Sequence, residues 1–198
     1  MKILFKSLCV GIVTALIFTF IPFEVQCREI STKVFRVHIL ANSDSVQDQS
    51  LKLRVRDAVI KKSEELLALA HSKSEAQEIV SNNLDVFEKT AQDVICKAGF
   101  DYPVSARVCN LYFNTRYYDD ITMPAGYYDA LQISIGEAKG KNWWCVMYPS
   151  LCLFAESDND KLEDKLTTQQ YGIVSSNGRF RFRFRVVEVI NNIFDLFS

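Results

Sequence analysis

Gly99 separates two hydrophobic periods, and that separation narrows the available folds more than any other feature of the chain. Before it, apolar residues recur at helical spacing. Leu51, Val55, Ala58 and Val59, then Leu66 and Leu69, share one face of a helix that follows "ANSDS" and runs to about residue 71. Asn42, Ser43 and Asp44 all suit a helix N-cap, because each offers a short side-chain acceptor to an orphan amide of the first turn. A second helix is predicted from about Ser74. Ala76, Ile79, Val80, Phe87, Ala91, Val94, Ile95 and Ala98 form its apolar side, and Gly99 closes it. After Gly99 the period shortens to two. Residues 104–113, "VSARVCNLYF", are rich in strand formers. "GYYDALQISIG" (126–136) and "NWWCVMY" (142–148) flank the polar loop "EAKGK" and read as a β-hairpin that ends at Pro149. An earlier strand, "KVFRVHIL" (33–40), would place Phe35, Val37 and Ile39 on one face and Arg36 and His38 on the other. Helices segregated from strands in this way predict an α+β domain, with two long helices packed on a largely antiparallel sheet.

The N-terminal stretch has a different character. Lys2 and Lys6 precede an uncharged, mostly apolar run from Ser7 to Phe23. A positive start and a short apolar run read as an export signal. As a helix that run spans about 25 Å, slightly less than the ~30 Å hydrocarbon core, so an uncleaved anchor is the second choice. Val25 and Cys27 can serve a cleavage site, which sets a signal peptide helix at 1–27. The main domain is then 28–155. A polar stretch, 156–178, reads as a flexible linker or insertion. A C-terminal strand and a short amphipathic helix, 179–198, pack back on the domain.

Several functions find no support. Formal net charge is −1 over 198 residues, which gives no electrostatic case for nucleic acid. No G-x-S-x-G or H-E-x-x-H occurs, and the two histidines, His38 and His71, stand at ordinary strand and helix-end positions. Cys145 and Cys152 are seven apart, too far for a zinc knuckle, and no C-x-x-C is present. No metal, cofactor or small-molecule substrate is expected. In an oxidising compartment the plainest reading of Cys145 and Cys152 is a local disulfide, which would contribute about 2–3 kcal/mol by chain entropy. Cys96 and Cys109 form a less certain second pair.

Trp143 and Trp144 must point to opposite faces of their strand. One can enter the core, and the other is a candidate anchor for a partner at a sheet edge. In "RFRFRFRVVEVI", Arg179, Arg181, Arg183 and Arg185 alternate with Phe180, Phe182 and Phe184. As a strand, this gives one basic face, solvated or facing acidic lipid.

Two long stretches, "RVHILANSDSVQDQSLKLRVRDAV" (36–59) and "MPAGYYDALQISIGEAKGKNWWCVMYPSLC" (123–152), resemble the stage II sporulation protein R family of endospore-forming Firmicutes. The end, "VVEVINNIFDLF", resembles it more loosely. The resemblance implies a signalling protein rather than an enzyme, exported from the forespore into the space between the two sporulation membranes. Its implied partner is a membrane-embedded aspartic protease, which it activates to process the precursor of the mother-cell sigma E factor. Contact with the membrane surface is compatible with this. Asn42, Ser43, Asp44, Asp48, Tyr128, Trp143 and Trp144 lie in the matching motifs and are the candidate partner-binding residues. Tyr148 and Ser150 depart from the more apolar, proline-richer pattern expected there. A contrasting expectation is an exported cell-wall hydrolase using Asp44, Asp48 or Asp129 as acid–base carboxylates.

Overall fold

The computed structural model describes residues 2–118, 120–149, 151, 158–175, 180, 183–186 and 188. The chain forms two compact units. One comprises residues 1–31, 112–126 and 166–198, the other residues 32–111 and 127–165.

The second unit carries the four-stranded sheet. Its strands are β1 (Phe35–Leu40), β2 (Val104–Phe113), β5 (Gly126–Ile135) and β6 (Asn142–Tyr148), in the order β2-β5-β1-β6. β1 runs parallel to β5, with Val37 opposite Leu131 and Ile39 opposite Ile133. It runs antiparallel to β6, with His38 opposite Trp144 and Ile39 opposite Trp143. β2 is antiparallel to β5. Arg107 bonds Gln132, Asn110 bonds Asp129, and the Gly136 amide bonds the Pro103 carbonyl, so one numbering rises as the other falls. The sheet is thus mostly antiparallel in a mixed α/β fold. The predicted hairpin between β5 and β6 does not form, because β1 lies between them. Turn residues in "EAKGK" match a hairpin, but the loop spans one intervening strand instead.

Helices cover one sheet face. These are α2 (Val46–Leu67), α3 (Lys73–Ser81) and α4 (Leu84–Lys97). α2 packs on β1, β6, α3 and α4, and α3 on β1. Leu51, Val55, Val59, Ala76, Val80, Phe87, Ala91 and Ile95 are buried, which matches the helical period. The predicted second long helix is two helices. The α3 C-cap is Asn82, Asn83 stands at the α4 N-cap position, and the Asn83 side chain donates to the Ile79 carbonyl at 2.8 Å. Adjacent asparagines compete locally for helix carbonyls, which favours a break. The covered face carries Val37, Ile39, Leu131 and Ile133, identified by Arg56 of α2 over Trp143 and the ion pair of Lys73 with Asp129. β1 departs from the expected one-sided burial: Arg36 and His38 are also buried.

The predicted linker contains helices. α5 (Asp158–Lys165) buries Leu162. α6 (Thr168–Val174) starts with a capping box between Thr167 and Gln170 and buries Ile173 and Val174. The polar composition hid these two short apolar faces.

The first unit holds α1 (Lys2–Lys33), α6 and a small ribbon of β3 (Arg116–Tyr118) with β4 (Ile121–Met123). α1 continues through the predicted cleavage point, and Phe23, Cys27 and Ile30 are buried one helical turn apart. Toward its start Ile3, Leu4, Phe5, Leu8 and Phe18 are exposed. Among the described residues no helix is long and apolar enough to cross a membrane. The predicted C-terminal strand is corrected at 183–186, which is helical. Phe184 donates its amide to the Phe180 carbonyl at 3.0 Å, and both rings meet Phe23 at centroid distances of 5.3 and 5.6 Å. Alternation at period two also satisfies an i, i+4 pair, which is why the sequence misleads here. Arg183 lies over Phe23 and Phe180 rather than on a free basic face. Arg179, Arg181 and Phe182 lie outside the described residues.

Cys96 and Cys109 are both free thiols, so the second predicted disulfide is not formed. Cys96 is exposed on α4, where Gln92 donates to its sulfur at 3.6 Å, and Cys109 belongs to β2. Cys27 is also free, and burial, with the nearby Glu24 charge, pushes its thiol up to about 12. In the native full-length chain a thiol-specific reagent at pH 8 is expected to modify Cys96 readily and Cys27 only after denaturation. Peptide mapping after timed labelling checks this, and equal rates for the two thiols would refute the buried placement.

Candidate functional site

The "ANSDS" segment leaves β1 and must reverse before α2 begins. Ser45 caps α2, its hydroxyl accepting from the Asp48 amide at 3.1 Å. The cap is therefore one residue beyond the three predicted. This frees Asn42, Ser43 and Asp44 for longer reach.

Asp48 is the hub. Its Oδ2 accepts from Asn42 Nδ2 at 2.9 Å and from the Ser43 hydroxyl at 2.6 Å. Tyr102 also bonds it. Burial opposes the Asp48 charge, but the bonds from Ser43, Asn42, Tyr102 and Ser45 outweigh it and hold the carboxyl below the usual range. The other atoms of the segment grip the loop after β5. Asn42 Oδ1 accepts from the Glu137 amide at 2.9 Å, and Asp44 Oδ1 accepts from the Lys141 amide at 2.6 Å. The carbonyls of Ala41 and Asn42 accept from the Gly140 and Lys139 amides at 2.9 and 3.1 Å. Lys52 Nζ donates to the Lys141 carbonyl at 2.8 Å and to Gln49 Oε1 at 2.7 Å. Burial lowers the Lys52 ammonium pKa, with the Asp44 charge opposing that shift.

Two glycines permit this closeness. A Cβ on Gly140 would lie 2.2 Å from the Ser43 carbonyl oxygen. One on Gly136, whose φ is +58°, would lie 2.3 Å from Asn42 Oδ1. Asn42, Ser43, Asp44 and Asp48, predicted as partner contacts, are thus internal bonds of one knot. Gly140 and Lys52 were missed as site residues. Their signal was a glycine in a short polar loop and a lone lysine on the buried side of α2.

Beside the knot, a polar row crosses the sheet face opposite α2, α3 and α4, where Arg36, His38, Tyr128 and Gln132 are buried. Arg107 Nε donates to Gln132 Oε1 at 2.7 Å. Gln132 Nε2 meets His38 Nδ1 at 3.1 Å. The His38 ring stacks on Trp144, 3.7 Å between centroids and 5° from parallel. Trp143 points to the other face, with the Arg56 guanidinium 5.4 Å from its ring. The two tryptophans take opposite faces as read, and each is half-buried on the edge strand β6. Tyr128 is fully buried, with the Arg36 guanidinium 4.8 Å from its ring. Cys145 is buried in β6 and is not among the free thiols, while Cys152 lies outside the described residues.

Of the carboxylates named for a hydrolase, Asp44 and Asp48 both belong to the knot, and Asp129 stands apart from them. Asp129 sits at the Arg36 end of β1 and pairs with Lys73 and Asn110; Asp48 sits beyond the Leu40 end. Burial opposes the Asp129 charge too, but its hydrogen bonds and the Lys73 charge prevail and lower its pKa. A general acid must hold a proton at working pH, and both groups are biased the other way.

The fold defines a mixed α/β protein, and the knot ties the exit of β1 and the start of α2 to the loop after β5 within one unit. Residues 31–158 match the model of stage II sporulation protein R, and the chain belongs to that family. It is 35% identical over 142 residues to the stage II sporulation protein R of Bacillus subtilis (strain 168), covering 72% of this chain and 63% of that relative. The chain therefore spans less than two thirds of that relative's length. No solved structure matches.

Two predictions test the knot. Gly140→Ala is expected to cost about 3 kcal/mol, the upper end for overpacking. Gly172→Ala, where an added Cβ meets nothing within 4 Å on α6, should stabilise by about 0.5–1 kcal/mol. Chemical denaturation of both variants checks the contrast. Because the Asp48 pKa is lowered on folding, its contribution is present above the unfolded value of about 3.9 and is lost as pH falls through the folded value. Asp48→Asn should therefore lower stability at pH 7 by about 1–3 kcal/mol and flatten the acid limb of Tm against pH. A parallel limb in wild type and variant would contradict the assignment.

Proposed function

We propose that this protein is an exported sporulation signal, which activates a membrane-embedded aspartic protease that processes the mother-cell sigma E precursor. Membership of the stage II sporulation protein R family supports a sporulation function. The single structural observation that carries the signalling reading is the use made of the two family motifs. They meet in a rigid knot, and the same motif places two half-buried tryptophans on the adjoining edge strand β6. A ligand that works by shape needs such a preorganised surface, since ordering it on contact would cost affinity.

Export is supported by Lys2 and Lys6 ahead of the exposed apolar residues of α1. A disulfide of Cys145 with Cys152, fixing the exit from β6, is part of the same reading. On this reading Trp143, Trp144 and the edge of β6 make the contact, and Tyr128 and the knot residues, engaged internally, support it.

In the producing organism, deletion of the gene should leave forespore transcription intact and stop processing of the sigma E precursor. Wild-type complementation should restore it, and Trp144→Ala should restore it only partly. Immunoblots for the precursor and product read the result, and normal processing in the deletion strain would sink the proposal. Mass spectrometry of non-reduced peptides should recover the Cys145–Cys152 crosslink from exported protein.

A further inference from the structure

The cis Tyr148–Pro149 bond closes β6 beside the C-terminal end of α2, and a cavity of about 530 Å³ opens there. That size falls within the usual range for ligand sites, about 300–1,000 Å³. Its apolar wall includes Leu67 and Met147, and its charged rim is Glu64, Asp164 and Lys165. Tyr148 lines it and is 7% exposed. Among the described residues its hydroxyl is buried with no hydrogen-bond partner. A buried hydroxyl without a partner is costly, and native structures seldom leave one in place without a reason.

The charge pattern identifies what is missing. The C-terminal end of a helix is its negative end and is ordinarily faced by cations. α2 has no basic residue in its last turn and instead carries Glu64 and Glu65. Glu65 is paired with Lys62. Among the described residues Glu64 and Asp164 have no such pairing. Lys165 is engaged with the His71 carbonyl at 3.1 Å and lies 6.0 Å from the centre of the Tyr148 ring. A helix terminus, two carboxylates, a phenol oxygen and an aromatic face around an apolar wall suit a long alkyl side chain with a cationic tip.

We propose that this cavity is a docking pocket for one basic side chain, arginine or lysine, carried by a segment of the partner protein. Its stem lies along Leu67 and Met147, and its cation is held by Glu64, Asp164 and the Tyr148 hydroxyl. The inference deepens the reading of the protein as a signalling ligand by assigning a second contact, away from the tryptophans.

The test titrates the full-length chain, isotope-labelled, with N-acetyl-arginine methylamide and separately with N-acetyl-leucine methylamide, followed by NMR shifts. The arginine probe should shift Tyr148, Met147 and Leu67, and bind about tenfold more tightly than the leucine probe. Glu64→Gln with Asp164→Asn should reduce its affinity about tenfold. Tyr148→Phe should weaken it about threefold without lowering Tm, because the lost hydroxyl has no hydrogen-bond partner among the described residues. Equal binding of the two probes, an unchanged affinity in the double variant, or a marked loss of Tm in Tyr148→Phe would each overturn the proposal. Arginine binding in a protein whose deletion leaves precursor processing normal would keep the pocket and reject only the signalling role.

Discussion

One ionised carboxylate organises the working end of this molecule. Asp48 is buried and takes hydrogen bonds from the strand exit, the helix cap and the chain ahead of β2. A buried charge is tolerable only when its lone pairs are filled. That requirement fixes Asn42, Ser43 and Ser45 in one arrangement. Through Asn42 Oδ1 and the close approach at Gly140, the same arrangement fixes the loop that leads into β6. Residues nearly 100 positions apart are thereby made one rigid body, and β6 with its tryptophans inherits that rigidity.

The placement of β1 follows from the same geometry. β1 pairs with β5 on one side and β6 on the other, so the segment leaving β1 must pass under the loop joining those two strands. The knot is where that passage occurs. A central strand is covered on both faces, which explains why Arg36 and His38 are buried where alternation suggested solvent. Arg36 answers burial with the Tyr128 ring and the Cys145 carbonyl, and His38 with Gln132 and Trp144. The polar residues of β1 read as surface in the sequence, yet they act as internal links across the sheet.

The legible parts of the fold were those with local causes. The helical face of α2, the apolar residues of α3 and α4, the end at Gly99 and the strands β2, β5 and β6 are all visible as period and composition. So are the opposite faces of Trp143 and Trp144. Partner strands were not legible, because "EAKGK" has the turn chemistry of a hairpin and nothing local reveals an inserted strand. The Phe180–Phe184 pair misled because spacing of two and spacing of four coincide. Asn42, Ser43, Asp44 and Asp48 stand out in the sequence as polar turn residues. Their bonds to Asp48 and to the loop after β5 were not legible, since exposed polar loop residues and residues that bond a loop across the sheet have the same composition. What separates the two cases is Gly136 and Gly140, which mark a close backbone approach.

The internal bonds of the knot bear on how the proposed partner could dock. If the motif residues were themselves the contact surface, a partner would have to break the bonds to Asp48 in order to use them, losing a buried and fully satisfied network. Docking at the β6 edge makes no such demand. Backbone groups of an edge strand stand ready for a neighbouring strand, and each tryptophan adds a broad apolar surface already held in one orientation, by Arg56 on one face and His38 on the other. Aromatic anchors held rigid before contact lose little entropy on binding. Under the proposed signalling role the motifs would act through the stiffness they impart, and a variant that loosens the knot should then weaken signalling even though none of its altered atoms reaches the proposed partner.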